Sequence, residues 1–375
     1  MIEKYYLNNT IRTNRVAQAI IHLLVILAVF FSGIQNVEGC STFVIQDREK
    51  LVVGKNFDFH TEIGAVNINH RHIAKYATFL TNETPVKWVS KYGSITFNQL
   101  SREFPFGGMN ETGLVVEIMW LEETEFPKPD NRLAISELQW IQYQLDNSSS
   151  VDDVIKSDSK IRISQSSPVH FLVADHTGKT VTVEFIKGKA VFHTGQTLPF
   201  KVLTNNTYEN ALAYLKTHKG FGGTKDISNS SGSRDRFVRA AQCVKDFRIN
   251  TGSSLSPVDY AFKTLSSIAQ DSTVWSIVYD IPNECIYFKT KHKQKIKTIR
   301  MSDFNFRCEI PAKSLNMNTD LEGDVTGRFV DYTDAMNREM IFATYKSYRA
   351  NNFPTTTTDS TLEMIAKYPG TLKCQ

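Results

Sequence analysis

Residues 40–59 of the 375-residue chain read CSTFVIQDREKLVVGKNFDF, and this stretch carries the fold prediction. Two runs rich in β-branched and aromatic residues, Ser41–Gln46 and Leu51–Asn56, flank a polar turn at 47–50. Runs of this length joined by a short polar turn are typical of a β-hairpin. We therefore expect an antiparallel hairpin that begins directly after Cys40 and brings Lys55 and Asp58 back beside it.

The segment before Cys40 has the three regions of a secretory signal peptide. Arg12 and Arg15 precede the apolar run Ala19–Phe31, and a short polar stretch follows it up to Gly39. The apolar run is shorter than the roughly 20 residues that a membrane-spanning helix needs, so cleavage after Gly39 is favoured over a retained signal anchor. We predict a signal peptide over 1–39, export to a secreted, periplasmic or lumenal location, and no stable membrane span after cleavage.

A cysteine at the new N-terminus would carry its own general base. A free α-amine has a pKa of about 7.7–8.0 and can take the thiol proton directly or through water. A cation and a carboxylate nearby would hold the amine and tune the thiolate, and the hairpin supplies Lys55 and Asp58. The competing interpretation is that the signal peptide is cleaved before a cysteine by coincidence, without a catalytic role for Cys40. The usual metal and dinucleotide motifs are absent from the sequence, and we predict neither a metal nor a cofactor.

Composition limits the class of protein. With 41% hydrophobic and 22% charged residues the chain can form a packed core, and a formal net charge of +4 gives no reason to expect nucleic-acid binding. Strands in hairpins, with helices inserted between groups of them, predict an α+β layered domain with antiparallel sheets. We place this domain at 40–340, followed by a C-terminal extension, 341–375, in which a polar linker over 351–360 leads to a short tail.

Five cysteines form an odd set for an exported protein. Cys40 is the candidate to remain a free thiol, because it would be the nucleophile. The other four allow three disulfide pairings, between which the sequence does not choose. These four are Cys243, Cys285, Cys308 and Cys374.

Three later segments follow the hairpin in a fixed order. Met109–Val115 reads MNETGLV, Val202–Asn206 reads VLTNN and Ser233–Arg239 reads SRDRFVR. Together with Cys40–Phe43 and Gly54–Phe59, they make the chain resemble the choloylglycine hydrolase family of N-terminal nucleophile hydrolases, which includes bile salt hydrolases and penicillin V acylases. The resemblance spans residues 40 to about 306. It implies an αββα sandwich, two antiparallel sheets flanked by helices, and hydrolysis of linear amide C–N bonds in small-molecule N-acyl compounds.

The resemblance also implies roles for the matched residues. Cys40 matches the nucleophile and, through its amine, the general base, while Asp58 matches the carboxylate that orients the amine and thiol. Asn205 matches the side-chain donor of the oxyanion hole. Arg236 matches the arginine of the active-site charge network, with Arg239 one helical turn on as the alternative.

Two positions depart from the family pattern. Lys55 stands where these enzymes usually have arginine, so the charge is kept but the planar, bidentate fork is lost. Trp120 stands where they commonly have an asparagine whose backbone N–H completes the oxyanion hole. The backbone donor survives this change, and we expect the indole to reshape the substrate pocket. Acyl and amine specificity and a homo-oligomeric state stay open.

Other functions stay open from the sequence. Amidases of the same superfamily that act on N-acylethanolamines or ceramide have a similar N-terminal cysteine motif, but the contexts of Asn205 and Arg236 fit the choloylglycine branch better. The segment Val37–Cys40 loosely resembles a bacterial lipobox, and lipid attachment at Cys40 would give an anchored binding protein that is not an enzyme. A catalytically silent relative that only binds ligands is a further alternative.

Overall fold

The hairpin predicted from residues 41–58 lies in the middle of a seven-stranded sheet. Its strands are β1 (Ser41–Asp47), β2 (Lys50–Asp58), β14 (Val202–Leu203), β15 (Thr273–Asp280), β16 (Cys285–Thr290), β17 (Lys297–Arg300) and β19 (Gly323–Asp324). They lie in the order β14-β1-β2-β15-β16-β17-β19. Neighbours are antiparallel except for the edge pair β17 and β19. The register of β1 and β2 places Asp47 opposite Lys50, which confirms the predicted hairpin.

A second sheet of nine strands is antiparallel throughout. Its strands are β3 (Ala65–Asn69), β6 (Ser94–Asn98), β7 (Gly107–Asn110), β8 (Val115–Trp120), β11 (Val169–Ala174), β12 (Thr180–Ile186), β13 (Lys189–Thr194), β18 (Lys313–Asn316) and β20 (Val330–Asp331). The order is β13-β12-β11-β8-β7-β6-β3-β18-β20. β7 pairs with β8 only as far as Glu117. The backbone N–H and C=O groups on that side of residues 118–120 can therefore bond to groups outside β7.

Short strands form two small sheets. One contains β4 (Ile73–Tyr76), β5 (Lys87–Val89) and β21 (Lys373–Cys374), and the other contains β9 (Leu133–Ile135) and β10 (Ile161–Ile163). The helices are α1 (Glu137–Asn147), α2 (Val151–Ser157), α3 (Tyr208–Leu215), α4 (Ser233–Ile249), α5 (Pro257–Ser267), α6 (Asp334–Ala350) and α7 (Asp359–Thr371). Serine or threonine side chains cap most of their N-termini, as in Ser136 before α1 and Thr207 before α3.

The two large sheets stack face to face and are covered by helices on both outer faces. Phe97 of β6 meets Phe288 of β16 between the sheets, with ring centroids 5.7 Å apart. Helices α4 and α5 pack on β1 and β2 of the first sheet. On the outer face of the second sheet, Trp140 of α1 packs on Phe171 of β11 at 4.4 Å. The predicted αββα sandwich is therefore confirmed.

The computed structural model describes residues 39–78, 80, 83–164, 167–249, 255–351, 353, 355 and 357–375. The predicted signal peptide lies outside these residues apart from Gly39. Within the described ranges, no helix combines the length and the apolar character needed to cross a membrane.

The C-terminal segment packs on the second sheet. Helix α6 runs across residue 340, so the boundary between domain and extension stays a prediction. Thr344 of α6 donates to Gln99 O at 2.9 Å, and Ser101 donates to Ile365 O of α7 at 3.1 Å. The sequence predicts only a short tail after the linker, which is wrong, because α7 and β21 follow it. The apolar side chains of α7 are buried against the sheet and stabilise that helix.

The cysteines are only partly paired. Cys308 and Cys374 form a disulfide that fixes the chain end beside β4. Cys40, Cys243 and Cys285 are free thiols. The expectation that the four later cysteines pair is therefore wrong, because Cys243 on α4 and Cys285 on β16 are not bonded to each other or to another cysteine.

We predict that the disulfide stabilises the fold by about 2–4 kcal/mol, since it closes a loop of 66 residues. Cys374→Ser should lower the denaturation midpoint in guanidinium chloride, and reductant should lower the wild-type midpoint by the same amount. Cys243→Ser is the matched control and should leave the midpoint unchanged. A wild-type midpoint that is insensitive to reductant would contradict the prediction.

Candidate active site

Cys40 lies at the start of β1, beside the end of β2. The register pairs Ser41 with Asn56, so Cys40 lies opposite Phe57 and next to Asp58. Its Sγ is 4.0 Å from the backbone oxygen of Asp58, and the residue is buried. The hairpin thus brings the predicted nucleophile and the predicted carboxylate together.

Arg236 of α4 connects the predicted site residues. Its Nη1 donates to the backbone oxygen of Cys40 at 3.1 Å and to Ser41 Oγ, and lies 3.9 Å from Asp58 Oδ2. Its Nη2 donates to Asn205 Oδ1 at 2.9 Å. One buried guanidinium therefore bridges three segments that are far apart in the sequence.

The alternative arginine, Arg239, does not join this group. Its guanidinium donates to the backbone oxygens of Ser228, Ser230 and Ser267. These contacts fasten the loop before α4 to the end of α5. The structure therefore brings Arg236, and not Arg239, to Cys40.

Two neighbours that the sequence analysis did not single out hold the Asp58 carboxylate. Thr273 Oγ1 donates to Oδ1 and Gln270 Nε2 donates to Oδ2, each at 2.5 Å. Thr273 reaches Asp58 because the pairing of β2 with β15 is irregular between Thr273 and Trp275, as in a β-bulge. Burial raises the pKa of Asp58, while the charge of Arg236 and these hydrogen bonds oppose the rise.

Asn205 lies in the turn between β14 and α3. Its backbone N–H donates to Ser233 Oγ at 2.8 Å, and its side-chain oxygen accepts from Arg236. Its Nδ2 donates to the backbone oxygen of Trp120 at 2.8 Å. Ser233 is the first residue of α4, and its hydroxyl anchors Asn205. The orientation of the carboxamide is thus fixed from both sides.

The backbone of Trp120 lies beside the Asn205 side chain. Leu121 N–H donates to Pro168 O at 3.0 Å, so the pair of Trp120 with Val169 is a non-hydrogen-bonded one. In such a pair the N–H and C=O point away from the partner strand. Both groups of Trp120 therefore face the edge where Asn205 lies. The indole Nε1 donates to Glu122 at 3.0 Å.

Lys55 extends between the sheets toward β8. Its Nζ donates to Ile118 O and to Met119 Sδ, the latter at 3.3 Å, and lies 3.6 Å from Glu117 Oε2. Tyr279 Oη also donates to Glu117. Burial raises the pKa of Glu117 to about 7, although Lys55 and Tyr279 favour the charged form.

Neighbouring groups act on the pKa of the Cys40 thiol in opposite directions. Burial raises its pKa, and the Asp58 charge acts in the same direction. The charges of Lys55 and Arg236, and a hydrogen bond with the Asp58 backbone, lower it. Two cations therefore face the sulfur and favour the thiolate that nucleophilic attack needs.

Gly39 lies directly against the side chain of Asn205. Its carbonyl oxygen accepts from Gln270 Nε2 at 3.0 Å. A Cβ built on Gly39 would lie 2.2 Å from Asn205 Cγ, which no side chain could tolerate without movement. The residue before Cys40 therefore lies against the predicted oxyanion donor.

A metal site has little support in the described part of the chain. Cys308, Glu309 and Cys374 are close enough to share an ion, but the two sulfurs are joined in a disulfide. Disulfide sulfurs are not thiolate ligands.

The structure brings together four of the predicted site residues, Cys40, Asp58, Asn205 and Arg236. The backbone of Trp120 lies beside them, and the charge of Lys55 acts on the thiol of Cys40.

Comparisons with known proteins relate the sequence to a family of amide hydrolases. The profile of the family described as linear amide C–N hydrolases, choloylglycine hydrolase family, matches residues 40–313. A penicillin V acylase of Pectobacterium atrosepticum is 26% identical over 293 residues, which cover 65% of this chain and 77% of that protein.

Solved structures show the same fold. Penicillin V acylase from Agrobacterium tumefaciens superposes with a TM-score of 0.68 at 24% identity, covering 78% of this chain and 98% of that one. A single-residue variant of conjugated bile acid hydrolase from Clostridium perfringens gives 0.64 at 18% identity, with coverage of 76% and 98%. The family match, which spans most of the chain, shows that the protein belongs to the choloylglycine hydrolase family of linear amide C–N hydrolases.

Proposed function

We propose that the protein is an exported amidase whose N-terminal Cys40 attacks small-molecule N-acyl amides. The observation that carries this proposal is the convergence of Cys40, Asp58, Asn205 and Arg236 around one point at the end of the first hairpin. Membership of a linear amide hydrolase family supports the reaction class. The apolar run at 19–31 supports export.

Removal of residues 1–39 would create the general base. In the uncleaved chain the Cys40 nitrogen is an amide, which cannot accept a proton from the thiol. Hydrolysis of the Gly39–Cys40 bond converts it into an amine, and removes Gly39 from the front of Asn205. Asp58, held by Thr273 and Gln270, then provides a fixed carboxylate beside the amine.

The first chemical step forms a thioester. The amine takes the Cys40 proton, and the thiolate attacks the carbonyl carbon of the substrate amide. The carbonyl oxygen becomes an oxyanion, and the ammonium returns its proton to the leaving nitrogen as the C–N bond breaks. The amine product leaves, and the acyl group stays on Sγ.

The second step releases the acid. Water loses a proton to the Cys40 amine and attacks the thioester carbonyl, and the thiolate departs as the C–S bond breaks. In both steps Asn205 Nδ2 and the backbone N–H of Trp120 stabilise the oxyanion. An amide nitrogen has two hydrogens, so Asn205 can keep its bond to Trp120 O and donate the second hydrogen to the substrate.

Penicillin V acylase and conjugated bile acid hydrolase, the activities named for the similar proteins, suggest the substrate class. Both act on an acyl group joined to nitrogen through a linear amide. We therefore propose an N-acyl compound with an apolar acyl group as the substrate. Trp120, which lies at the site through its backbone, is the residue expected to shape the acyl or amine pocket.

The test of the proposal starts from the full chain expressed in a secreting host. Intact mass and N-terminal sequencing should give a chain that begins with unmodified Cys40. This protein should hydrolyse members of a panel containing penicillin V, glycine-conjugated bile acids, N-acyl amino acids and N-acylethanolamines, and Cys40→Ala should not. A processed chain that cleaves no member, a retained segment 1–39, or a lipid on Cys40 would overturn the proposal.

We predict that Asn205→Ala lowers kcat about 10²–10³-fold, because one oxyanion donor is lost. KM should change little, since the donor acts mainly on charge that develops in the transition state. Steady-state kinetics on the best substrate of the panel measure both. Asn210→Ala, at an exposed position in the first turn of α3, is the control and should keep wild-type kcat. Equal effects of the two substitutions would contradict the role of Asn205.

We predict that Asp58→Asn lowers kcat/KM about 100-fold or more, because a neutral amide cannot balance the ammonium that forms during proton transfer. The amide oxygen can still accept from Thr273, whereas the hydrogen bond from Gln270 is lost, so the thermal midpoint is measured alongside the kinetics to separate a loss of stability from a loss of activity. Asp271→Asn changes an exposed carboxylate on the neighbouring loop and serves as the control. Activity of Asp58→Asn within twofold of wild type would rule out the assigned role.

A further inference from the structure

A buried group of ionisable side chains lies behind Asn205, on the second sheet. His170 of β11 and Glu184 of β12 are fully enclosed, and His193 of β13 reaches them from the surface. His170 Nδ1 is 3.1 Å from Glu184 Oε1, and His193 Nε2 is 3.3 Å from Glu184 Oε2. None of these residues has a role in the amide hydrolysis described above.

The hydrogen bonds determine where the protons lie. His170 Nε2 is 2.7 Å from the backbone oxygen of Thr204, and a carbonyl oxygen can only accept, so Nε2 carries a hydrogen. Burial alone would raise the pKa of Glu184, but hydrogen bonds from His170, His193 and the Tyr208 N–H lower it to about 2. His170 Nδ1 lies 3.1 Å from Glu184 Oε1, so each nitrogen of the ring is within hydrogen-bonding distance of an oxygen.

The pair of His170 and Glu184 fixes the segment that contains Asn205 at both ends. His170 holds Thr204 O at the start of the turn, and Glu184 Oε1 accepts the N–H of Tyr208 at 2.9 Å at the start of α3. Within the turn, Asn205 N–H donates to Ser233 Oγ at 2.8 Å. The peptide group between Thr204 and Asn205 is therefore held through both its oxygen and its N–H.

We propose that His170, held by Glu184, is a positioning residue for the oxyanion donor Asn205. Clamping the peptide group fixes the Cα of Asn205, and Arg236 fixes the far end of its side chain. A donor with both ends fixed needs no reorganisation when the oxyanion forms, which is the condition for strong electrostatic stabilisation. The inference rests on the proposed function, in which Asn205 donates to the substrate.

The test compares two substitutions of His170. His170→Leu removes the donor to Thr204 O, and we expect kcat to fall about 10–100-fold with KM within threefold, as for a small displacement of a catalytic group. His170→Gln should restore most of kcat, because its amide nitrogen lies the same number of bonds from Cα as Nε2 and can donate to Thr204 O. Active-site titration of Cys40 normalises each rate to competent enzyme.

A matched control separates positioning from general destabilisation. Val173→Ala lies on the same strand, is fully buried and faces the opposite side of the sheet, in the cluster under α1. It should lower the thermal midpoint and leave kcat unchanged. Equal losses of kcat in Val173→Ala and His170→Leu, or wild-type kcat in His170→Leu, would overturn the proposal.

A readout independent of turnover distinguishes this proposal from the proposed function. In histidine-labelled protein, ¹⁵N NMR at neutral pH should show a hydrogen on Nε2 of His170, assigned by its loss in His170→Leu. A ring nitrogen Nε2 without a hydrogen would refute the clamp while leaving the amidase function intact. A protonated Nε2 in a processed enzyme that cleaves no amide would instead refute the proposed function.

Discussion

The arrangement of the site residues depends on Arg236, whose guanidinium is buried. Removing a cation from water is costly unless hydrogen bonds replace its hydration, so the planar donors of Arg236 need acceptors at fixed positions. The structure supplies them from separate segments: the Cys40 carbonyl and Ser41 hydroxyl at the start of β1, the Asn205 carboxamide before α3, and the Ser231 carbonyl before α4. The same contacts satisfy acceptors that burial would otherwise leave unpaired. The proposed nucleophile, Cys40, and the proposed oxyanion donor, Asn205, are therefore fixed to a common group.

The sequence predicts a feature of this arrangement when the residues that form it are neighbours in the chain or belong to a short motif. The hairpin from β1 to β2 could be predicted because its strands are neighbours and their residues have strand propensity. The αββα sandwich and the residues Cys40, Asp58, Asn205 and Arg236 came from short motifs in a fixed order. Gln270 and Thr273 could not be predicted, since an irregular pairing between distant strands brings them to Asp58. Helix α7 was missed because its apolar positions follow a polar linker and gain their partners only on the sheet.

Lys55 shows how a departure from a family pattern is accommodated. An arginine would offer a planar fork, whereas the lysine ammonium is a point charge with three donors. The structure directs those donors to the β8 backbone at Ile118, to Met119 and to Glu117. Room for that carboxylate exists because the facing residue on β7 is Gly107, where a Cβ would lie 2.4 Å from Glu117 Oε1. Lys55, a buried acid and a glycine therefore pack together, which no single motif reveals.

The ionisable groups around Cys40 and those behind Asn205 differ in what they do. Burial and the charge of Asp58 raise the pKa of the Cys40 thiol, and the charges of Lys55 and Arg236 lower it. Behind Asn205, His170 and Glu184 form a buried hydrogen-bonded pair. In the proposed mechanism the sulfur gains and loses a negative charge in every turnover and needs cations close by, whereas the oxyanion donor must only stay in place. The buried pair suits the second task, because it holds the backbone at both ends of the turn that contains Asn205.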